Sequence, residues 1–319
     1  MKAYQTLLYY CYSHIQDAEQ YTAKHLKFCK SLNLSGRIII ADEGINGTVS
    51  GKADDCKAYM DYVYADGRFN ATEFKIDEVD KPSFIKIHCR YKTEIVYSGL
   101  KDPSFINPTE EAGKHLEPKE FAEMKDRDDV IILDVRSNYE HKMGKFKNAV
   151  TLDIENFRDF PAMINKLAQY KNKKILTYCT GGIKCEKASA LLLKEGFKDV
   201  YQLHGGIIKY GKEAQGKDFE GKCYVFDNRI AVDVNTVNPI VVSNCGNCGK
   251  TTTKMINCAN PKCNKHFTQC NECGVALDGS CSDACQNHPR KRPYDGTGYY
   301  VKVPQPVVKK QDLFTANIN

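Results

Sequence analysis

The stretch from Pro108 to Ala214 constrains the fold more than any other part of this sequence. Short apolar runs, VIIL from 130, AVTL from 149, KILTY from 174 and DVYQL from 199, alternate there with helical segments near 118, 160, 185 and 207. Apolar strands separated by helices are joined by crossovers, and crossovers lay helices over both faces of a parallel sheet. Such a sheet also fixes where chemistry happens, because ligands collect where strand C-termini hand over to helix N-termini. One handover is YCTGGIKCEKA, residues 178–188, directly after the apolar pair Ile175-Leu176 and directly before an alanine- and leucine-rich segment.

Cys179 sits at that junction. The loop Thr180-Gly181-Gly182-Ile183-Lys184 is short, and its glycines permit backbone angles that turn successive N–H groups inward. Thr180, Gly181, Gly182 and Ile183 are therefore expected to offer amide donors to the sulfur. Together with the positive end of the following helix and the Lys184 ammonium, these donors favour thiolate over thiol and bring the cysteine pKa from about 8.5 toward neutrality. An anionic sulfur is a nucleophile and a persulfide carrier. The alternative is a structural cysteine in a glycine turn; Cys185, one position into the helix, reads as packing or as a resolving thiol.

The grammar before this region is different. From Tyr4 to about Ser98 the order is strand, helix, strand, strand, helix, strand, with Ala18, Tyr21, His25, Phe28, Cys29 and Leu32 on one helical face and Gly36 marking its exit. Arg37 to Ile40 reads as a strand, and Cys56, Tyr59, Met60 and Val63 as a second helix face. DEGINGTVSG reads as a turn and return strand, Asn46-Gly47 being a hairpin signal, although Asp42 and Glu43 would be acidic groups able to reach an active site. This order implies a ferredoxin-like α+β domain over residues 1–100. KDPSFINPTEEAG, with two prolines, is the linker, 101–114. In FIKIHCRYK the residues Lys86, His88, Arg90 and Lys92 alternate with Ile85, Ile87, Cys89 and Tyr91, so a strand puts the basic groups on one face, either as a solvated surface or as a stripe for nucleic-acid phosphates.

Fifteen cysteines need an explanation, and eight of them fall between Cys245 and Cys285. No run of 18 apolar residues occurs, and the tyrosine-rich start lacks a signal-peptide cleavage pattern. A cytoplasmic protein with no membrane segment is expected, where a disulfide framework is disfavoured. The pairs Cys245-x2-Cys248, Cys258-x4-Cys263, Cys270-x2-Cys273 and Cys281-x3-Cys285 have the spacing of tetrahedral zinc ligands and accommodate two structural ions. Consecutive pairs or alternating pairs would serve equally, and His266 or His288 are possible substitutes. Residues 216–319 are expected to form a small cysteine-rich domain, with GKCYVFDNRIAVDVN as a hairpin and the tail RKRPYDGTGYYVKVPQP on the surface or wrapped about another domain. A net charge of +6 permits an anionic partner without requiring one.

Residues 115–215 resemble a rhodanese domain in LDVRSNYEHKMGKFKNAVTLD, the cysteine loop and VYQLHGGIIKYG. That resemblance implies that Cys179 forms the persulfide and that Asp134 and Arg136 are supporting residues which order loops. GRIIIADEGINGTVSG, CTGGIKCEKASALL and the eight terminal cysteines, in that order, further resemble the rhodanese-containing tRNA uridine hydroxylases. Membership implies oxygen-dependent 5-hydroxylation of the wobble uridine of tRNA, with tRNA as partner, molecular oxygen as co-substrate and an electron source that the sequence does not specify. The chain has Lys184 where the family's arginine is expected, which keeps the charge and loses the planar fork. No dinucleotide fingerprint, two-histidine-one-carboxylate triad or haem motif is present. Sulfurtransfer through the same thiolate and a non-catalytic scaffold are the alternative functions.

Overall fold

The computed structural model describes residues 2–298, and the tail from residue 299 onward lies outside the described residues. In the first 100 residues the elements are β1 (Tyr4–Tyr12), α1 (Ala18–Ser31), β2 (Ser35–Ala41), β3 (Gly44–Lys52), α2 (Ala53–Ala65), β4 (Lys75–Val79) and β5 (Ile87–Tyr91). They form one sheet in the order β4-β1-β3-β2-β5, with β5 parallel to β2 and the other pairs antiparallel. The order 4-1-3-2 is that of a ferredoxin-like unit. The strand that completes it is KIDEV, so FIKIHCRYK is an additional edge strand rather than the fourth.

Period-two alternation divides this sheet into two unlike faces. Leu7, Tyr9 and Cys11 of β1, Ile38 and Ile40 of β2, Ile45 and Val49 of β3 and Cys89 of β5 pack in one core with Tyr21 and Cys29 of α1 and Tyr59 and Val63 of α2. Helix α1 does not exit at Gly36. It ends after Ser31, where Asn33 takes a left-handed φ of 51° and the Leu34 amide donates to the Cys29 carbonyl at 3.0 Å. Nor is Asn46-Gly47 the hairpin turn: Ala41 pairs with Gly44, so the two-residue connection is Asp42-Glu43, and Asn46-Gly47 lies inside β3. Glycine stands at 47 because the Tyr9 phenol occupies the space a side chain would need.

The second sheet has the order β6-β11-β10-β7-β9, all parallel, from β6 (Lys114–Leu116), β7 (Val130–Asp134), β9 (Val150–Thr151), β10 (Lys174–Tyr178) and β11 (Val200–Leu203). Helix α5 (Ile183–Lys194) covers one face with Ala188, Leu191 and Leu192. On the other face lie Phe121 of α3 (Pro118–Met124) and Ile207, Ile208 and Tyr210 of α6 (Gly206–Glu213). The segment near 160 is a 3-10 helix, Pro161–Tyr170. Two short elements join β7 to β9, α4 (Asn138–His141) and β8 (Gly144–Phe146), and the latter pairs with β12 (Phe219–Gly221). The expected hairpin is present as β13 (Cys223–Tyr224) paired with β14 (Ala231–Val232). Packing groups residues up to Asn244 together, so the break falls at Cys245 rather than at 216, because β12 is held by β8.

The second compact unit, Cys245–Lys250 with the described residues 254–298, contains the hairpin β15 (Met255–Asn257) and β16 (His266–Thr268) and the short helices α7 (Asn271–Ala276) and α8 (Asp283–Gln286). Among the described residues no helix is long and apolar enough to cross a membrane.

Gly47→Ala is expected to lower the urea unfolding midpoint, equivalent to about 1–3 kcal/mol of overpacking, because Tyr9 is fully buried and its hydroxyl is tied to that of Tyr59. An unchanged midpoint would show that the core yields at that point.

Candidate active site

Cys179 follows β10 immediately and precedes α5, whose N-cap is Gly182 with φ 102°. The chain turns here because two glycines stand where a side chain has no room. A Cβ at 181 would meet Leu8 Cδ2 at 3.0 Å, and one at 182 the Tyr10 hydroxyl at 3.0 Å. The loop is also anchored from the opposite side, where the first amides of α6 donate to it: Ile207 to the Cys179 carbonyl at 3.0 Å and Ile208 to the Thr180 carbonyl at 3.1 Å.

Cys179 is 1% exposed, and its sulfur accepts a hydrogen bond from the Gly182 amide at 3.2 Å. Burial pushes the thiol up, but a hydrogen bond from the Cys185 thiol, the Lys184 ammonium and the amides of Lys184 and Gly182 outweigh it and hold the Cys179 pKa down at about 7. Burial and the same contact push Cys185 well up, so within this pair Cys179 carries the charge. Of the four loop residues expected to offer amides, Gly182 is the one at hydrogen-bond distance from sulfur; Thr180 uses its hydroxyl on the Tyr224 carbonyl at 3.3 Å. The Lys184 amide is the donor that residue types did not reveal.

Lys184 has a partner with no sequence signal. Its ammonium pairs with Glu140 of α4 at 2.6 Å and lies 5.2 Å from the Phe226 ring centre, so its charge is shared between carboxylate and sulfur. Asp134 and Arg136 are both fully buried and form a fork, Nε to Oδ1 at 2.9 Å and Nη2 to Oδ2 at 2.7 Å. Nη2 also donates to the Gly144 carbonyl, and the Tyr178 hydroxyl donates to Asp134 at 2.6 Å. This ties the chain after β7 to the residue before Cys179.

The remaining contacts come from the first sheet. Leu8 and Tyr10 of β1 lie over the loop, and the Tyr10 hydroxyl donates to Glu186 of α5 at 2.8 Å. Lys187, 3% exposed, donates to Glu43 at 2.8 Å and Glu94 at 2.7 Å. Glu43 thus contacts α5 through an ion pair, and Asp42 instead accepts from the Tyr91 hydroxyl. Cross-strand register places Leu8 and Tyr10 on one face with Thr48 and Asn46 of β3, Arg37 and Ile39 of β2, and His88 and Arg90 of β5. The basic stripe and the cover of the cysteine loop are therefore two ends of one sheet face. Lys86, Arg90 and Lys92 are exposed, whereas burial and the charges of Lys86, Arg90 and Arg37 push His88 below the usual imidazole range, leaving it neutral. Arg37, exposed on β2, adds a charge the stripe did not include, and Ile85 and Tyr91 are exposed rather than part of a buried face.

In the second unit the eight cysteines gather as Cys245, Cys248, Cys270 and Cys273, and as Cys258, Cys263, Cys281 and Cys285, the ligand atoms within each set lying within 4.8 Å of one another. Alternate pairs share a site, and His266 and His288 belong to neither. Sulfur separations of 3.7 Å for Cys248–Cys270, 3.8 Å for Cys263–Cys281 and 3.7 Å for Cys281–Cys285 match the edge, about 3.8 Å, of a tetrahedron with metal–sulfur bonds of about 2.3 Å. Both sets fit a metal ion.

Residues 4–95 match the UPF0176 acylphosphatase like domain, 117–213 the rhodanese-like domain and 220–286 the rhodanase C-terminal domain. A tRNA uridine(34) hydroxylase of Cytophaga hutchinsonii is 61% identical over 95% of this chain and 96% of its own. Proteins of the same name from Streptococcus uberis and Streptococcus agalactiae are each 48% identical over 90% of both chains.

Peptide-resolved alkylation of the native protein against pH is expected to give a midpoint for Cys179 near 7, and Lys184→Gln to move it up by about one unit. A native midpoint above about 8.5 would mean that the cradle does not stabilise thiolate.

Proposed function

The chain belongs to the tRNA uridine(34) hydroxylase family, and we propose that it hydroxylates that uridine at carbon 5 through Cys179, with molecular oxygen as co-substrate. The observation that carries this reading is the buried sulfur held near neutral pKa at the start of α5. A thiolate there can add to the pyrimidine ring, which makes carbon 5 electron-rich, or carry a persulfide that takes part in oxygen activation. Placing one atom of dioxygen on carbon 5 leaves the other to become water, which takes two electrons and two protons from an external reductant. Lys184 and the Gly182 and Lys184 amides hold the charge on sulfur; the Asp134–Arg136 fork keeps the strand before it in place.

The open face of the first sheet is the proposed tRNA surface, with Lys86, Arg90 and Lys92 toward phosphates, joined by Arg37. The two cysteine sets would each hold a zinc ion with every position taken by protein thiolate, which makes the ions structural: they would supply the cross-links that a segment with little apolar core needs. A cytoplasmic location follows from the substrate.

Nucleoside analysis of tRNA from cells without the protein is expected to show loss of hydroxylated uridine at position 34, restored by the wild-type gene and not by Cys179→Ser. Restoration by Cys179→Ser would refute the role of the thiol; a sulfurtransferase would instead leave the tRNA unchanged and accept sulfur from thiosulfate. For the RNA surface, Arg90→Gln is expected to reduce the slope of log affinity for tRNA against log salt by about 1, and an unchanged slope would remove β5 from the interface.

A further inference from the structure

The turn between β13 and β14 carries Phe226, which is 42% exposed. Single exposed rings are common; this one is set apart by how firmly its turn is held. The Val225 amide donates to the Ile230 carbonyl at 2.8 Å and the Asn228 amide to the Ser83 carbonyl at 2.9 Å. Arg229 forks onto Asp227, Nε to Oδ1 at 2.9 Å and Nη2 to Oδ2 at 2.6 Å, and its Nη1 reaches Asp77 of β4 at 2.9 Å. The turn is therefore clamped to the first sheet. An aromatic ring kept in water by a fixed backbone has little freedom left to lose when a partner stacks on it.

The neighbours of the ring place it beside the cysteine loop. Lys184 Nζ lies 5.2 Å from its centre, and Tyr224 meets it with ring centres 5.2 Å apart and planes at 79°. Phe226 also lines a crevice with Leu8, Thr48 and Thr180. That crevice holds about 30 Å³, against about 300 Å³ for small-ligand sites, so a partner would lie on the exposed part of the ring and not inside. Leu8 pairs across the sheet with Thr48, Thr48 with Arg37, and Arg37 with His88. From Phe226 the open face thus runs on to Arg37 and the basic strand β5, at about 4.8 Å per strand.

A partner matched to this surface needs a flat face for the ring and negative charge close by for the cations. A nucleotide of single-stranded RNA supplies both, its base for the aromatic and its phosphates for Arg37 and the residues beyond it. Phe226 faces water, whereas Cys179 is buried with Leu8 and Tyr10 over its loop. A base stacked on Phe226 therefore stops short of the sulfur, and it is a neighbour of the modified ring and not that ring itself.

We propose that Phe226 is the stacking platform for a nucleobase flanking the modified uridine, with the phosphates of that nucleotide toward Arg37. It is a positioning residue, and the inference rests on the reading of the chain as a tRNA-modifying enzyme. The test uses the full-length protein with an unmodified anticodon stem-loop RNA. Phe226→Ala is expected to weaken binding at least about fivefold, the lower end for one base on one aromatic ring. The slope of log affinity against log salt is expected to stay as in wild type, because stacking releases no counterions. The chain contains no tryptophan, so Phe226→Trp installs a single reporter: it is expected to bind as wild type does and to lose fluorescence as RNA is added. Tyr64→Trp, at an exposed position of α2 on the covered side of the sheet, is expected to keep its emission.

Unchanged affinity in Phe226→Ala, a loss that comes with a changed salt slope, or emission of Phe226→Trp indifferent to bound RNA would each overturn the proposal. Its failure is separable from that of the functional reading. Weakened binding in Phe226→Ala alongside hydroxylation that survives Cys179→Ser would sink the role of the thiol and leave the platform standing. Hydroxylation that depends on Cys179, with RNA affinity indifferent to Phe226→Ala, would sink the platform alone.

Discussion

A sulfur atom shielded from water keeps a negative charge only where other donors replace the water. At Cys179 these donors are two backbone amides, a neighbouring thiol and an ammonium, and they outweigh a burial that by itself would keep the proton on. Much of the surrounding structure sets up that balance. The two glycines let the chain close around the sulfur, α5 aims its first amides at it, and α6 fixes the loop by its carbonyls. Lys184 is itself held by Glu140, so the positive charge has a defined place instead of a range of solvated ones.

The shielding comes from the first sheet. A ferredoxin-like sheet buries one face under its helices and leaves the other to be used, and here Leu8 and Tyr10 of the open face lie on the cysteine loop while the same face runs on to Arg90. The contact is polar as well as apolar: Lys187 reaches Glu43 and Glu94, and Tyr10 reaches Glu186. Buried pairs of this kind add little net stability but penalise any other seating of the two sheets, since a lone buried charge is costly. One face thus covers the buried sulfur of Cys179 and continues to the basic residues proposed to meet RNA.

Much of this was legible in the sequence. Alternation of apolar runs with helical segments gave the parallel sheet, the handover after KILTY gave the position of Cys179, and period two in FIKIHCRYK put His88 and Arg90 on one side. Local signals misled where long-range packing overrode them. Asn46-Gly47 has the composition of a turn, yet Gly47 is there for the Tyr9 ring; Gly36 reads as a helix exit, yet Asn33 closes the helix. Glu140, Tyr10 and Lys187 carried no signal, because their partners lie 44 to 176 residues away.

By itself the sequence determined which residues have the chemistry: a cysteine in a glycine loop, a basic strand and four cysteine pairs, all patterns set by neighbours within a few positions. Only the tertiary structure decided which amides reach the sulfur, that alternate cysteine pairs share a site, and that the basic strand shares a face with the cover of the loop. The reason is physical: spacing along a chain fixes periodicity and local turns, whereas charge stabilisation and metal geometry depend on distances between segments that only packing brings together.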